Sequence, residues 1–228
     1  MKTLTKLDQL KISPINAVKI LQNGNKRFVD NLRFNRNLLQ QINETSDDQH
    51  PFAVIISCMD SRSSAELIFD QGLGDIFSIR VAGNVVNEDI LGSAEYGCKI
   101  VGAKIIVVLG HTKCGAINGA IAHVELGHLQ SITSKIQRCS SLKKHNHSLE
   151  KDAHATLVAH ENVVLGVNDI RTRSEILREM ENNDEIIILG GIYDVSTGVI
   201  KFFEVLNGIC NKNFASKEYS DFAFGESV

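Results

Sequence analysis

Phe52-Ala53-Val54-Ile55-Ile56-Ser57-Cys58-Met59-Asp60-Ser61-Arg62 is the stretch that decides the fold of this chain. Its first half is an apolar run rich in β-branched residues, the pattern of a strand buried on both faces. Its second half places a thiol, a carboxylate and a guanidinium directly after that strand. The pattern returns further on, where Ile105-Ile106-Val107-Val108-Leu109 leads into Gly110-His111-Thr112-Lys113-Cys114-Gly115. In an open parallel sheet, ligands collect beyond the carboxyl ends of strands, above all where the winding direction reverses. Two thiolates and an imidazole in such a place make a zinc site, with Cys58, His111 and Cys114 as the ligands.

Outward from these two words, strands and helices alternate. Phe52 to Ser57, Ile76 to Arg80 and Ile105 to Leu109 read as strands; Ser64 to Phe69, Gly92 to Ile100 and Gly115 to Val124 read as helices. Such alternation predicts an α/β fold with a mostly parallel central sheet flanked by helices. Farther along, His154 to Leu165 and Ser174 to Met180 read as helices, and Glu185 to Leu189 and Val199 to Val205 as strands. Between those strands, Gly190-Gly191 and Asp194-Val195-Ser196-Thr197-Gly198 look like hairpin turn chemistry, which predicts an antiparallel edge strand. Ser13-Pro14 reads as the N-cap and first position of an amphipathic helix that Gly24 interrupts or ends, with a second helical piece from Asn25 to Leu32. The polar stretch Arg36 to His50 reads as a loop or weak helix, and Arg138 to Lys151 as a solvated loop. The expected organisation is an N-terminal helical arm, residues 1–35, and a single α/β zinc-binding domain, residues 36–228.

Composition narrows the function. With 228 residues, 43% hydrophobic and 22% charged, the chain reads as an ordinary globular protein with one generous core. A net charge of -3 and a pI near 6.2 supply no basic patch, so no nucleic-acid partner is expected. No apolar stretch approaches the ~20 residues that span a bilayer, and the N-terminus lacks a signal-peptide core; no membrane partner and a cytoplasmic location are expected. Five cysteines, an odd number, argue for reduced thiols. Cys98 and Cys210 lie among apolar residues and read as small hydrophobes, whereas Cys139 in a polar stretch reads as exposed. The histidines outside the zinc words read mostly as surface residues. Gly72-Leu73-Gly74 does not extend to a dinucleotide fingerprint, and the absence of any C-x-x-C pair weighs against thiol redox chemistry.

Three protein ligands leave a fourth zinc position open, whereas structural sites are closed by four. Asp60 is close enough in sequence to take that position or to hydrogen-bond to a water there. Arg62 can hold Asp60 through two parallel hydrogen bonds, keeping it ionised and turned from the metal. Two thiolates cancel the charge of the metal, so its water should be less acidic than the pKa of about 7 found at an all-histidine site. Activity should rise toward alkaline pH.

These words resemble the β-class carbonic anhydrases. The resemblance is carried by Cys58-Met59-Asp60-Ser61-Arg62, Gly74-Asp75-Ile76-Phe77, Arg80-Val81-Ala82-Gly83-Asn84, Gly92-Ser93-Ala94-Glu95-Tyr96 and Gly110-His111-Thr112-Lys113-Cys114-Gly115. It continues in Gly24-Asn25-Lys26-Arg27-Phe28 and in Tyr193-Asp194-Val195-Ser196-Thr197-Gly198, and covers about residues 15–206. It implies a lyase, zinc-dependent with one Zn2+ per chain, that hydrates CO2 reversibly to bicarbonate and a proton by zinc-bound hydroxide. By the same resemblance Cys58, His111 and Cys114 bind zinc, Asp60 accepts a hydrogen bond from the hydroxide, Arg62 holds Asp60, and the 36–228 domain is the catalytic one. Gln49 matches a glutamine that reaches into the substrate pocket of a neighbouring subunit. The resemblance also implies self-association as a homodimer or homotetramer, with the N-terminal helix packed across the partner.

One departure stands out. Some bacterial members have an inhibitory bicarbonate site built from a tryptophan three residues before the first zinc cysteine, an arginine and a tyrosine. Arg80 and Tyr193 match the latter two, but Ile55 stands at the tryptophan position and the chain has no Trp. That form of switching is expected to be absent or weak, with Asp60 off the metal at neutral pH. Two other functions fit the words less well: hydrolysis of carbon disulfide or carbonyl sulfide on the same fold, and a zinc-stabilised binding module without turnover.

Overall fold

Three helices lead the chain in: α1 (Lys6–Lys11), α2 (Pro14–Val29) and α3 (Leu38–Glu44). Alternation follows, with β1 (Ala53–Ser57), α4 (Ala65–Ile68), β2 (Ile76–Arg80), α5 (Glu88–Glu95), β3 (Ile105–His111) and α6 (Gly115–Ile121). The rest comprises α7 (Gln130–Ile136), α8 (Lys151–Arg173), α9 (Glu175–Asn182), β4 (Ile187–Tyr193), β5 (Ile200–Leu206) and β6 (Ile209–Asn211). This computed structural model describes residues 3–142, 151–206 and 209–211, the last three by backbone alone. Lys143 to His147 and the side chain of Cys210 lie outside the described residues.

The sheet order is β2-β1-β3-β4-β5-β6. The pairs β1 with β2, β1 with β3 and β3 with β4 are parallel, while β5 pairs antiparallel to β4 and β6 antiparallel to β5. The expected α/β architecture with an antiparallel addition is therefore the observed one. From β1 the chain steps to one side for β2 and returns to the other for β3, so winding reverses between β1 and β3. The crevice beyond their carboxyl ends is where such sheets hold ligands.

Alternation within each strand builds two cores. Val54, Ile56, Ile106 and Val108 pack with Ile90, Leu91 and Ala94 of α5 and Val163, Val167 and Ile170 of α8. Ala53, Ile55, Ile105, Val107 and Leu109 face the other way, onto Ala17, Val18 and Leu21 of α2 and onto Phe69. Each fully buried Leu or Ile contributes roughly 1.5–3 kcal/mol. A third cluster gathers Cys58, Cys114, Val85, Ile117, Ile136 and Cys139 against Ala155 and Val158 of α8.

Local signals start the helices where the sequence places them. Ser13 Oγ accepts from the Asn16 N–H at 3.2 Å ahead of Pro14. Several expectations change, each for a tertiary reason. Gly24 does not end a helix: α2 runs through it, and the residue is a glycine where a Cβ would meet the Phe69 carbonyl oxygen at 1.8 Å. Gly190 and Gly191 lie inside β4 rather than in a turn, and a Cβ on Gly190 would meet the Phe203 ring at 2.4 Å. Residues 154–165 belong to the longer α8, and the helix expected from Gly92 begins at Glu88, where Asn87 Oδ1 caps the Ile90 N–H at 3.0 Å. Cys139 is fully buried, not exposed, because α7 and α8 close over it. His154 is also buried, its Nε2 lying 3.0 Å from the Ser141 carbonyl.

The polar stretch before β1 contains α3, and α1 and α3 share an inversion. Gln9 and Gln41 are each 1% exposed, while Leu7, Leu10, Leu38, Leu39 and Ile42 are all more than half exposed. Gln9 Nε2 donates to the Pro51 carbonyl at 2.8 Å, and Gln41 Oε1 accepts from the Leu73 N–H at 3.2 Å. Both helices thus dock by hydrogen bonds and leave their leucines outward.

Candidate metal centre

Cys58 follows β1 and Cys114 precedes α6, with His111 the last residue of β3. The strand is two residues longer than its apolar run, because Gly110 and His111 keep parallel register with Ile192 and Tyr193 of β4. That extension aims the imidazole across the crevice. The donor atoms of Cys58, His111 and Cys114 all lie within 4.8 Å of one another, and all three residues are buried. The two Sγ atoms are 4.0 Å apart, close to the ~3.8 Å set by two ~2.3 Å Zn–S bonds at a tetrahedral angle.

The imidazole is prepared for a metal. His111 Nδ1 lies 2.9 Å from the Thr112 carbonyl, which can only accept, so Nδ1 carries the proton. Nε2 then offers a lone pair; it is buried without a hydrogen-bond partner. A buried, unpartnered nitrogen is costly unless something occupies it, and two thiols with an imidazole suit zinc. The residues present therefore fit one Zn2+.

Thiol electrostatics agree. The hydrogen bond with Cys114 is the largest influence on Cys58 and holds its thiol far below the usual range, with the Gly83 N–H acting in the same direction against burial. The same contact pushes Cys114 up, because a second thiolate beside the first is repelled. Gly83 N–H reaches Cys58 Sγ at 3.3 Å. It does so from a left-handed turn, Gly83 at φ 67 and Asn84 at φ 44, whose Gly83 carbonyl is held by Asn162 Nδ2 at 2.8 Å.

Asp60 sits beside this cluster, its Oδ2 3.9 Å from His111 Nε2. Arg62 Nε donates to Oδ1 at 2.9 Å and Nη2 to Oδ2 at 2.8 Å, and the Arg62 N–H adds a bond to Oδ1 at 2.9 Å. The Arg62 hydrogen bonds hold the carboxyl down at about 2, against partial burial. Tyr193, paired with His111 across β3 and β4, is buried nearby, and Ile55 is fully buried. Gln49 is exposed on the link between α3 and β1.

Sequence reasoning missed the groups that orient these side chains. Arg80 hydrogen-bonds the loop carbonyls of Cys58 and Asp60, and Lys113 adopts φ 55 with its carbonyl 3.3 Å from Arg62 Nη2. The Gly83 in Val81-Ala82-Gly83-Asn84 was the available signal for the turn. Nothing in the sequence marks the carbonyl bonds.

Comparison with known proteins points the same way. The sequence profile of the family described as "Carbonic anhydrase" matches residues 53–200. Carbonic anhydrase 2 of Mycobacterium tuberculosis is 33% identical over 194 residues, covering 82% of this chain and 91% of the relative. A carbonic anhydrase of Pseudomonas aeruginosa is 28% identical over 204 residues, covering 83% of this chain and 90% of the relative. Among solved structures, one of the tetrameric β-carbonic anhydrases of Sordaria macrospora superposes with a TM-score of 0.64 at 25% identity, covering 69% of this chain and 82% of that one. With a buried Cys-His-Cys cluster at the sheet's winding reversal and matches of this extent, the chain belongs to the β-class carbonic anhydrase family.

Proposed function

We propose that this protein catalyses the reversible hydration of CO2 to bicarbonate and a proton, with Cys58, His111 and Cys114 holding one Zn2+. When bound, the metal supplies Lewis-acid chemistry, acidifying water so that a nucleophilic oxygen is available in mildly alkaline solution. The observation that carries the reading is the Asp60 carboxylate 3.9 Å from His111 Nε2 with both oxygens tied to Arg62. A carboxylate held in this way stays ionised and accepts a hydrogen bond from the attacking oxygen, fixing the direction of its lone pair toward the CO2 carbon. Tied to Arg62, it is kept off the open ligand position. Met59 beside it is exposed, so the loop borders solvent, where the product proton can leave.

The relatives reported above are named carbonic anhydrases, which weighs against sulfide hydrolysis and against a binding module without turnover. We also propose that the outward leucines of α1 and α3 pack against a second copy of the chain. Exposed apolar surface of this extent usually marks an interface, and the Sordaria relative is tetrameric. Gln49, exposed just beyond α3, would then enter the neighbouring subunit's pocket. Within this reading residues 1–35 form an arm carried by the 36–228 catalytic domain. No helix among the described residues is long and apolar enough to cross a membrane.

The test is stopped-flow CO2 hydration at pH 7 and pH 8.5 on zinc-loaded protein, with Asp60→Asn as the control. Turnover that is faster at pH 8.5 and collapses in the variant supports the proposal. No turnover at either pH despite one zinc per chain would sink it.

A further inference from the structure

We propose that Arg80 is a positioning residue for this reaction: its guanidinium sets the main chain of the Cys58–Asp60 loop and, through it, the direction of the Asp60 carboxylate. The proposal rests on the hydration reading above. Arg80 is the last residue of β2, and its register partner on β1 is Ser57, the residue before Cys58. From that position Nε donates to the Cys58 carbonyl at 3.2 Å and Nη2 donates to the Asp60 carbonyl at 2.5 Å. A guanidinium is a rigid planar fork, so two carbonyls bound to it cannot turn independently.

The rest of the loop explains why such a clamp matters. Met59, between the two clamped carbonyls, is 65% exposed, so no apolar anchor fixes its peptide units. The Asp60 carbonyl also accepts from the Ser63 N–H at 3.1 Å and Ser63 Oγ at 3.0 Å, closing the turn on the far side. Arg62 holds the same residue by its side chain and reaches the Lys113 carbonyl on the other ligand loop. Asp60 is thus gripped twice, its main chain by Arg80 and its carboxylate by Arg62. Displacing a catalytic group by ~1 Å can cost 10²-fold in rate, and release of the main-chain grip leaves the carboxylate grip to work from an unfixed base.

The experiment compares wild type, Arg80→Gln and Arg80→Lys as zinc-loaded full-length chains. Its readouts, all on the zinc-loaded protein, are kcat and KM for CO2 hydration, inhibition by bicarbonate, and hydrogen exchange of the Ser63 amide. Arg80→Gln is expected to retain one zinc per chain, to lose about 10-fold in kcat with KM within about twofold, and to exchange Ser63 about 10-fold faster. Arg80→Lys, whose ammonium is a single point of contact, should fall between the two on both readouts and serves if Arg80→Gln folds poorly. Unchanged Ser63 exchange in Arg80→Gln, or Arg80→Lys equal to wild type throughout, would overturn the proposal. So would an altered bicarbonate inhibition with kcat and exchange unchanged, since Arg80 would then be an anion-binding residue. Failure of the wild type to hydrate CO2 would defeat the functional reading alone, because the exchange comparison still decides whether Arg80 holds the loop.

Discussion

Arg62 grips Asp60 on both carboxylate oxygens, at 2.9 and 2.8 Å, and the same Nη2 lies 3.3 Å from the Lys113 carbonyl. One side chain therefore joins the loop that carries Cys58 to the loop that carries Cys114. Because the two residues act as a unit, Asp60→Asn and Arg62→Ala are each expected to lower kcat/KM by about 10²-fold, and the double variant by little more. A double-mutant cycle on variants with matched zinc content checks this. Losses that multiply would mean the residues act independently.

Removal of zinc should loosen the junction of β1 and β3, where both cysteines sit. The zinc-free chain must keep His111 Nε2 buried without a partner and hold two sulfurs 4.0 Å apart. A ligand that binds only the folded state stabilises it by mass action, so chelation is expected to lower Tm by roughly 5–15 °C. Scanning calorimetry with and without added zinc measures the difference. Cys114→Ser should abolish it, together with the bound zinc.

Acid should weaken the attachment of the first helices. Asp70 is buried at the end of α4 and accepts from Arg27 Nε at 2.5 Å, from the Phe34 N–H at 3.3 Å, and from Arg36. Burial pushes its carboxyl up, but the Arg27 and Arg36 hydrogen bonds outweigh it and the net shift is downward. A carboxyl depressed in the folded state contributes stability above its unfolded pKa of about 3.9, and that contribution disappears as pH falls through the folded value. Asp70→Asn should lower unfolding free energy by roughly 3 kcal/mol at pH 7. Urea titrations of both proteins should converge at the acid end of a pH series.

Gly24→Ala tests the close approach of α2 to the end of α4. Its new Cβ would stand 1.8 Å from the Phe69 carbonyl oxygen, so backbone must move. Overpacking of this kind costs about 1–3 kcal/mol or more. The gain in helix propensity, about 1 kcal/mol, is smaller. Denaturant unfolding should therefore show a net loss, and a stabilised variant would contradict the observed packing.

Self-association should depend on the outward leucines. Leu39→Glu places a charge on the most exposed leucine of α3 without touching the chain's own core. Light scattering on the eluted protein should show a smaller species than wild type at the same concentration. Unchanged mass would move the interface elsewhere.

Much of the site was legible before folding because its chemistry is local. Apolar β-branched runs ending in Cys58 and in His111 announce both the strand and the donors at its end, and the spacing of Asp60 to Arg62 suffices for a fork on a carboxylate. Gly24, Gly190 and Cys139 were misread for one shared reason. A glycine looks like a break and a cysteine among polar neighbours looks exposed until the segment packed against it is known.

The sequence by itself determined the α/β alternation, the two separate halves of the donor set (Cys58, and His111 with Cys114) and the dyad, since each depends on residues within a few positions of one another. Tertiary structure alone decided that Cys58 and Cys114, distant in the chain, meet at the winding reversal between β1 and β3. It also decided that β3 extends to His111, that Arg80 reaches the Cys58 and Asp60 carbonyls, and that α1 and α3 bury glutamines while exposing leucines. Strand register and helix docking are set by which distant surfaces exclude water together and which backbone groups then need partners.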